Sequence, residues 1–182
     1  MKKYIVISGV PGTGKSSAIE KIREARPELL FSRSCTDRAR RPEEDEKAYE
    51  FLTAAQIEEG IREGVFLETV YSAGVHYATR KSTLDISDGD RLLLDLDTGG
   101  GAAVLKAYPE DALLIFIYAT KEVVEQRLRR REEGRMPEAI IQERLGRWDT
   151  ETERARAIYH WHVENEVLET CVEEILNIID EN

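Results

Sequence analysis

The residues Gly9-Val10-Pro11-Gly12-Thr13-Gly14-Lys15-Ser16 follow the pattern G-x-x-x-x-G-K-S. Glycines so spaced let successive backbone N–H groups turn inward around an anion, and a helix starting at Ser16 adds its N-terminal dipole. A lysine at this place reaches the β- and γ-phosphates of a nucleoside triphosphate, and the hydroxyl after it reaches Mg²⁺. Gly9, Gly12, Thr13, Gly14, Lys15, Ser16 and Ser17 are therefore the expected triphosphate contacts, with Lys15 acting on the transferred group. The motif is a P-loop, and it predicts nucleoside triphosphate binding.

Phosphoryl transfer asks mainly that two phosphates be held in line with their charge neutralised. Arg38 and Arg41, with Tyr49 close behind, offer guanidinium forks that match phosphate oxygens bidentately. Tyr77 can add a hydroxyl donor. The same residues, read without any further pattern, suit a solvated basic turn balanced by the acids of 43–46 at least as well. Asp95 and Asp97 stand two apart on an apolar strand, so both face one side and need a metal, donor or cation. Arg127, Arg129, Arg130, Arg131 and Arg135 crowd one helix end, where some must simply pair with Glu132 and Glu133 in solvent. His160-Trp161-His162 has no third ligand at metal spacing and is not read as a metal site. Trp148 and Trp161 are expected to pack on the core or on helices, and Cys35 to be a small filler.

These side chains need a scaffold. Residues 4–8 form a short β-branched run ending at the glycine loop, which predicts a buried strand. Apolar positions recur at helical spacing over 16–26, where Pro27 stops the helix. Residues 29–34, 91–97 and 113–119 are expected as further strands, with helices over 121–133, 137–160 and about 168–179. Continuous apolar strands alternating with helices imply a parallel sheet covered on both faces. The stretch from 32 to about 88 breaks that rhythm, with a short helix at 54–63, and is expected to be an inserted subdomain.

The chain has 182 residues, 41% apolar and 34% charged, which suits one domain with a sizeable core. Against 26 Lys and Arg stand 36 Asp and Glu, a net charge of -10. A general binder of nucleic acid or anionic membrane leans basic, so neither partner is expected, and anions must be met by individually placed cations. The apolar run 112–119 is too short to span a bilayer. With no signal-peptide pattern at the start and two cysteines at no metal or disulfide spacing, a cytoplasmic location is expected.

Ordered fragments along the chain resemble the guanylate kinase family. Ser34-Cys35-Thr36-Asp37-Arg38-Ala39-Arg40-Arg41 resembles S-x-T-T-R-x-P-R, and Tyr49-Glu50-Phe51 resembles Y-x-F. Phe66-Leu67-Glu68 resembles F-[LI]-E, and the segment from Gly74 to Thr79 resembles G-x-x-Y-G-[ST]. Leu94-Asp95-Leu96-Asp97 looks like L-D-[IV]-D. Arg127-Leu128 with Arg131 resembles the lid's R-L-x-x-R, Arg144-Leu145 a later R-L, and Val163-Glu164-Asn165 the closing V-x-N. Asp37 replaces the second threonine, Arg40 the proline, Thr69 a tryptophan and Ala78 a glycine, and the lid sequence is altered.

The resemblance implies a three-layer α/β P-loop fold in a single domain. A core (1–31 and 89–182) would carry an inserted mixed α/β GMP-binding subdomain (about 32–88) and a small helical lid (about 131–146). It implies Mg²⁺-dependent transfer of the ATP γ-phosphate to GMP. On that basis Arg38, Arg131 and Arg144 join Lys15 as catalytic. Ser34, Arg38, Arg41, Tyr49, Glu68, Tyr77, Thr79 and Asp95 would bind GMP. Ser16 and Asp97 would serve the metal. Guanine presents N1–H and N2–H₂ as adjacent donors, which one carboxylate accepts together, so Glu68 suits the base. The alternatives are the same fold acting on another nucleotide or a phosphorylated ribose, or a non-catalytic interaction module. Such modules tend to lose the loop's lysine and glycines, all of which are present here.

Overall fold

The computed structural model describes residues 1–40, 46, 49–72, 74–130 and 136–182. Its centre is a five-stranded parallel sheet of β1 (Tyr4–Ser8), β2 (Leu30–Phe31), β7 (Leu92–Asp95), β8 (Ala112–Tyr118) and β9 (Trp161–Glu164), ordered β2-β7-β1-β8-β9. A smaller sheet, ordered β4-β3-β6-β5, is built from β3 (Cys35–Thr36), β4 (Glu50–Phe51), β5 (Phe66–Ser72) and β6 (Val75–Arg80).

Alternation along the strands divides the core into two layers. Ile5, Ile7, Leu93, Leu113, Ile115 and Ile117 face α1 (Lys15–Ala25) and α6 (Leu168–Glu181). Tyr4, Val6, Leu92, Leu94, Leu114 and Phe116 face the other way, toward α3 (Thr98–Ala107) and the end of α5 (Glu138–Ile158). Both faces are buried, which is why these strands read as continuous apolar runs. A third cluster joins α4 (Lys121–Arg130) to α5 through Val124, Leu128, Ile141 and Leu145, above Val10 of the glycine loop. The chain leaves β1 to build one side of the sheet and returns to build the other, so the end of β1 is a switch point where α/β sheets open a crevice.

Four local expectations are corrected. The strand expected over 29–34 is two strands in different sheets, because the chain passes from one sheet to the other at Ser32–Ser34. The strand expected to reach Asp97 ends at Asp95. Asp97 is instead the N-cap of α3, its Oδ1 accepting the Gly100 N–H at 2.8 Å. That helix was not expected, because Gly99, Gly100 and Gly101 are poor helix formers. The helix expected to reach residue 160 stops at Ile158, and the next residues form β9, where only Val163 is buried. His160 there accepts the Leu114 N–H on Nδ1 at 3.0 Å, a structural role. α2 (Ala54–Glu63) agrees with expectation and starts with a capping box between Thr53 and Gln56.

The glycines of α3 answer tertiary contacts. A Cβ on Gly101 would overlap the hydroxyl of Tyr159. That hydroxyl is buried and shares a 2.5 Å hydrogen bond with Ser8 Oγ, so it has nowhere to retreat. Gly146 on α5 has nothing within 4 Å of an added Cβ. Gly101→Ala should therefore destabilise the protein by about 1–3 kcal/mol, and Gly146→Ala should stabilise it by about 0.5–1 kcal/mol. Urea denaturation of both variants checks the pair, and equal effects would contradict this packing.

Candidate functional site

The glycine loop turns directly from β1 into α1. Gly12 and Gly14 have φ of +99° and +85°, conformations that L side chains rarely adopt. A Cβ on Gly14 would collide with the amide of Asn165, which donates to the Thr13 carbonyl at 2.7 Å. Arg127 donates to the same carbonyl at 3.1 Å and to the Asn165 carbonyl at 2.8 Å. Arg127 thus ties the loop to the end of β9, a role invisible in its local sequence. Thr13 is buried with its hydroxyl on the Val10 carbonyl at 2.9 Å, so it shapes the loop. Ser16 and Ser17 are exposed and line an open cleft of ≈ 660 Å³ with Lys15, Arg127 and Arg130.

Across from the loop, Lys15 forms an ion pair with Asp95 at the end of β7. Glu68 approaches from the smaller sheet. Its path is set by a bulge: Phe66 pairs with Arg80 but Glu68 pairs with Thr79, leaving Leu67 as the extra residue. Without the bulge Glu68 would share the Phe66 face; with it, Glu68 shares the face of Thr79 and Tyr77. Leu67 packs against the core layer beneath α3. The Glu68 side chain rests on Gly100, where a Cβ would lie 2.9 Å from its Cγ.

Thr79 donates to Glu68 Oε1 at 2.9 Å, while Oε2 is buried without a hydrogen-bond partner. Burial pushes the Glu68 carboxyl up to about 7; the Thr79 hydroxyl and Lys15 pull it down, and Asp97 and Asp95 push it up.

Arg38, Tyr49 and Tyr77 meet on the same face of the smaller sheet. The Arg38 guanidinium lies 5.4 Å from the Tyr49 ring centre and 5.8 Å from that of Phe51. It donates to the Ala39 carbonyl at 2.8 Å, and the Tyr49 and Tyr77 rings meet at 6.0 Å. Ser34 accepts the Glu50 N–H on its carbonyl at 2.9 Å, joining β4 to β3. On the opposite face Arg80 holds Glu50 bidentately at 3.0 and 2.7 Å. Cys35 there is a buried filler whose thiol donates to Glu50 and is pushed up to about 12 by burial.

Among the crowded arginines, Arg129 is held by Glu125 and Glu138, as a solvent-facing charge should be. Arg144 on α5 has Nη1 3.6 Å from Met136 Sδ. Arg41, Arg131 and Arg135 lie outside the described residues. Trp148 packs beside the α4–α5 cluster and donates to the Ala119 carbonyl at 3.1 Å, whereas Trp161 is 40% exposed on β9.

A glycine loop at the switch point of a parallel sheet, followed by its lysine and a helix, defines a P-loop phosphate-binding protein. Known proteins narrow the class. The guanylate kinase family model matches residues 1–182. The guanylate kinase of Anaeromyxobacter dehalogenans is 33% identical over 179 residues, covering 96% of this chain and 78% of that protein. That of Fusobacterium nucleatum is 35% identical over 178 residues, covering 96% and 94%. The crystal structure of guanylate kinase from Anaplasma phagocytophilum shares the fold, with a TM-score of 0.76 at 23% identity over 99% of this chain and 85% of that one. A gluconokinase from Sinorhizobium meliloti is more distant, at 0.53 and 19% over 95% and 89%. The chain belongs to the guanylate kinase family and is a nucleotide kinase.

The Glu68 environment has a measurable sign. Its folded carboxyl holds a proton more tightly than the ordinary 4.5 of the unfolded chain. Through the window from about 4.5 to about 7 the folded state therefore binds the extra proton, and Glu68's contribution lowers stability as pH rises. Carboxyl NMR of the ligand-free protein should show Glu68 titrating near neutrality. Thr79→Val removes a donor to the charged form and should raise it further; an ordinary carboxylate titration in both proteins would refute this burial.

Proposed function

We propose that this chain transfers the γ-phosphate of ATP to GMP, giving ADP and GDP. The observation that carries the reading is Glu68: a carboxylate with one oxygen on Thr79 and the other buried without a hydrogen-bond partner, within electrostatic reach of Lys15. Guanine offers two adjacent donors to such a carboxylate. Adenine presents an acceptor at N1, which would leave buried polar groups unpaired. The family membership supports the same acceptor.

In this reading Gly9, Gly12, Gly14 and the start of α1 cradle the ATP phosphates. Lys15 leaves Asp95 to neutralise the transferring group, and Asp95 is released toward the acceptor side, as the family pattern implies. Arg38, Arg41, Tyr49 and Tyr77 hold the GMP phosphate, with Ser34, Glu68 and Thr79 on the base. One GMP phosphate oxygen forms the new bond to the γ-phosphorus while the bond to the β-phosphate oxygen breaks, the charge staying on ADP. Arg131 and Arg144 from the lid stabilise the transferred group.

Among the described residues no three His, Cys, Asp or Glu side chains could hold a metal by themselves. A cation borne by the triphosphate does not need such a cage, and the exposed Ser16 hydroxyl in the cleft fits that role. Mg²⁺ bound there would neutralise charge on the β- and γ-oxygens. Asp97 is the weaker candidate for the metal neighbourhood, since one of its oxygens already caps α3. Water must be kept from the γ-phosphate, so the subsidiary regions at about 32–88 and 131–146 are proposed to close when both substrates bind. Two free, buried cysteines accord with a cytoplasmic enzyme. Among the described residues no helix is long and apolar enough to cross a membrane.

The test is a coupled ADP-release assay over GMP, dGMP, IMP, AMP, UMP and CMP. IMP lacks the N2 amino group and loses one charge-assisted hydrogen bond, so kcat/KM should favour GMP over IMP by at least about tenfold, with AMP lower still. Glu68→Gln should depress GMP most. AMP or a pyrimidine ahead of GMP would sink the reading.

Two further outcomes follow from the charges. Lys15→Ala should abolish transfer in a folded protein; near wild-type turnover would exclude Lys15 from the phosphates. Glu68 must be ionised to accept both guanine donors, so the KM for GMP should rise as pH falls below about 7. A flat profile between pH 6 and 8 would contradict an ionised Glu68 on the base.

A further inference from the structure

The smaller sheet carries a covered polar pair that no step above uses. Asp37 Oδ1 accepts the His76 backbone N–H at 2.7 Å, and Oδ2 lies 2.7 Å from His76 Nδ1. A carboxylate only accepts, so Nδ1 carries the proton. The Asp37 side chain is 9% exposed and that of His76 23%.

Thr36, its neighbour, donates its hydroxyl to the His76 carbonyl at 2.7 Å and accepts the Arg38 N–H at 3.2 Å. Residues 36 and 37 therefore hold the backbone N–H, the backbone carbonyl and the ring of one residue on β6.

The backbone explains why a side chain is needed here. β3 has two residues, and its ladder to β6 ends at the Thr36–Tyr77 pair. The Asp37 carboxylate supplies the next rung itself. Alternation puts Asp37 and His76 on one face and their neighbours Arg38 and Tyr77 on the other. The pair is thus one residue away, on both strands, from two side chains of the acceptor site.

We propose that Asp37 is a positioning residue for the acceptor phosphate: its two-point hold on His76 fixes Arg38 relative to Tyr77. The inference rests on the acceptor reading above and goes beyond it by naming what orders that site. An arginine meeting a phosphate through two parallel bonds loses much of its effect when its backbone can swing.

The experiment is steady-state kinetics with GMP and ATP varied separately for Asp37→Ala, His76→Ala and the double variant, each checked by thermal melting. Asp37→Ala should raise the KM for GMP by about tenfold and leave the KM for ATP within about twofold. His76→Ala keeps its backbone N–H on Asp37 and should do less. The double variant should be no worse than Asp37→Ala, since both changes remove one interaction. Asp37→Asn retains an oxygen for the His76 N–H and should raise the KM for GMP by only about threefold; it carries the test if the alanine variant does not fold.

A KM for GMP unchanged in the folded Asp37 variant, or equal rises in both KM values, overturns the positioning role. If the wild-type enzyme does not phosphorylate GMP, the functional reading fails instead. The same split is then measured with the acceptor it does use, which keeps the two failures distinct.

Discussion

Carboxylates crowd Lys15, the lysine of the glycine loop, in a protein of net charge -10. Asp95 pairs with Lys15, and Glu68 feels Lys15, Asp95 and Asp97 together. That arrangement is costly away from water, and each carboxyl is answered differently: Asp95 by the ammonium, Asp97 by the start of α3, and Glu68 by one hydroxyl while burial pushes its carboxyl up. The remaining mismatch, an unpartnered Glu68 oxygen, is the site's open hydrogen-bonding capacity. Under the proposed function, a ligand with paired donors would satisfy it, and a polyanion on the loop would release Lys15 from Asp95.

Holding those groups in register falls to rigid elements. Buried strands end side by side and deliver the glycine loop, Asp95 and Asn165 to one edge of the core sheet. Arg127 and Asn165 then tie the loop to the far side of that edge through the Thr13 carbonyl. The smaller sheet keeps Arg38, Tyr77, Glu68 and Thr79 on one surface and its internal ties, Arg80 with Glu50 and Asp37 with His76, on the other. The division follows from the two-residue period of a strand, with the ordering bonds on one face and the proposed acceptor groups on the other.

Sequence reading recovers what rests on local pattern. The glycine loop, the strand before it and α1 follow from spacing, period and the proline stop at Pro27, each a property of contiguous residues. Family resemblance goes further and names Glu68, Arg38, Tyr49 and Tyr77 together, yet it is silent on how they come to share a face. It also passes over Asp37, where this chain departs from the pattern and where the structure shows a partner 39 residues away.

The chain by itself therefore determined a phosphate-binding loop, a parallel sheet and an acidic surface, because glycine conformation, apolar periodicity and charge are encoded in neighbours along the sequence. Tertiary structure decided the rest. It split residues 29–34 between two sheets, made Asp97 a cap, turned Glu68 inward through the bulge at Leu67, and set Arg127 on the loop's backbone. Each of these depends on pairing register or on a partner distant in the chain. A one-residue shift of register reverses which face a side chain occupies, and no local pattern records which register the fold selects.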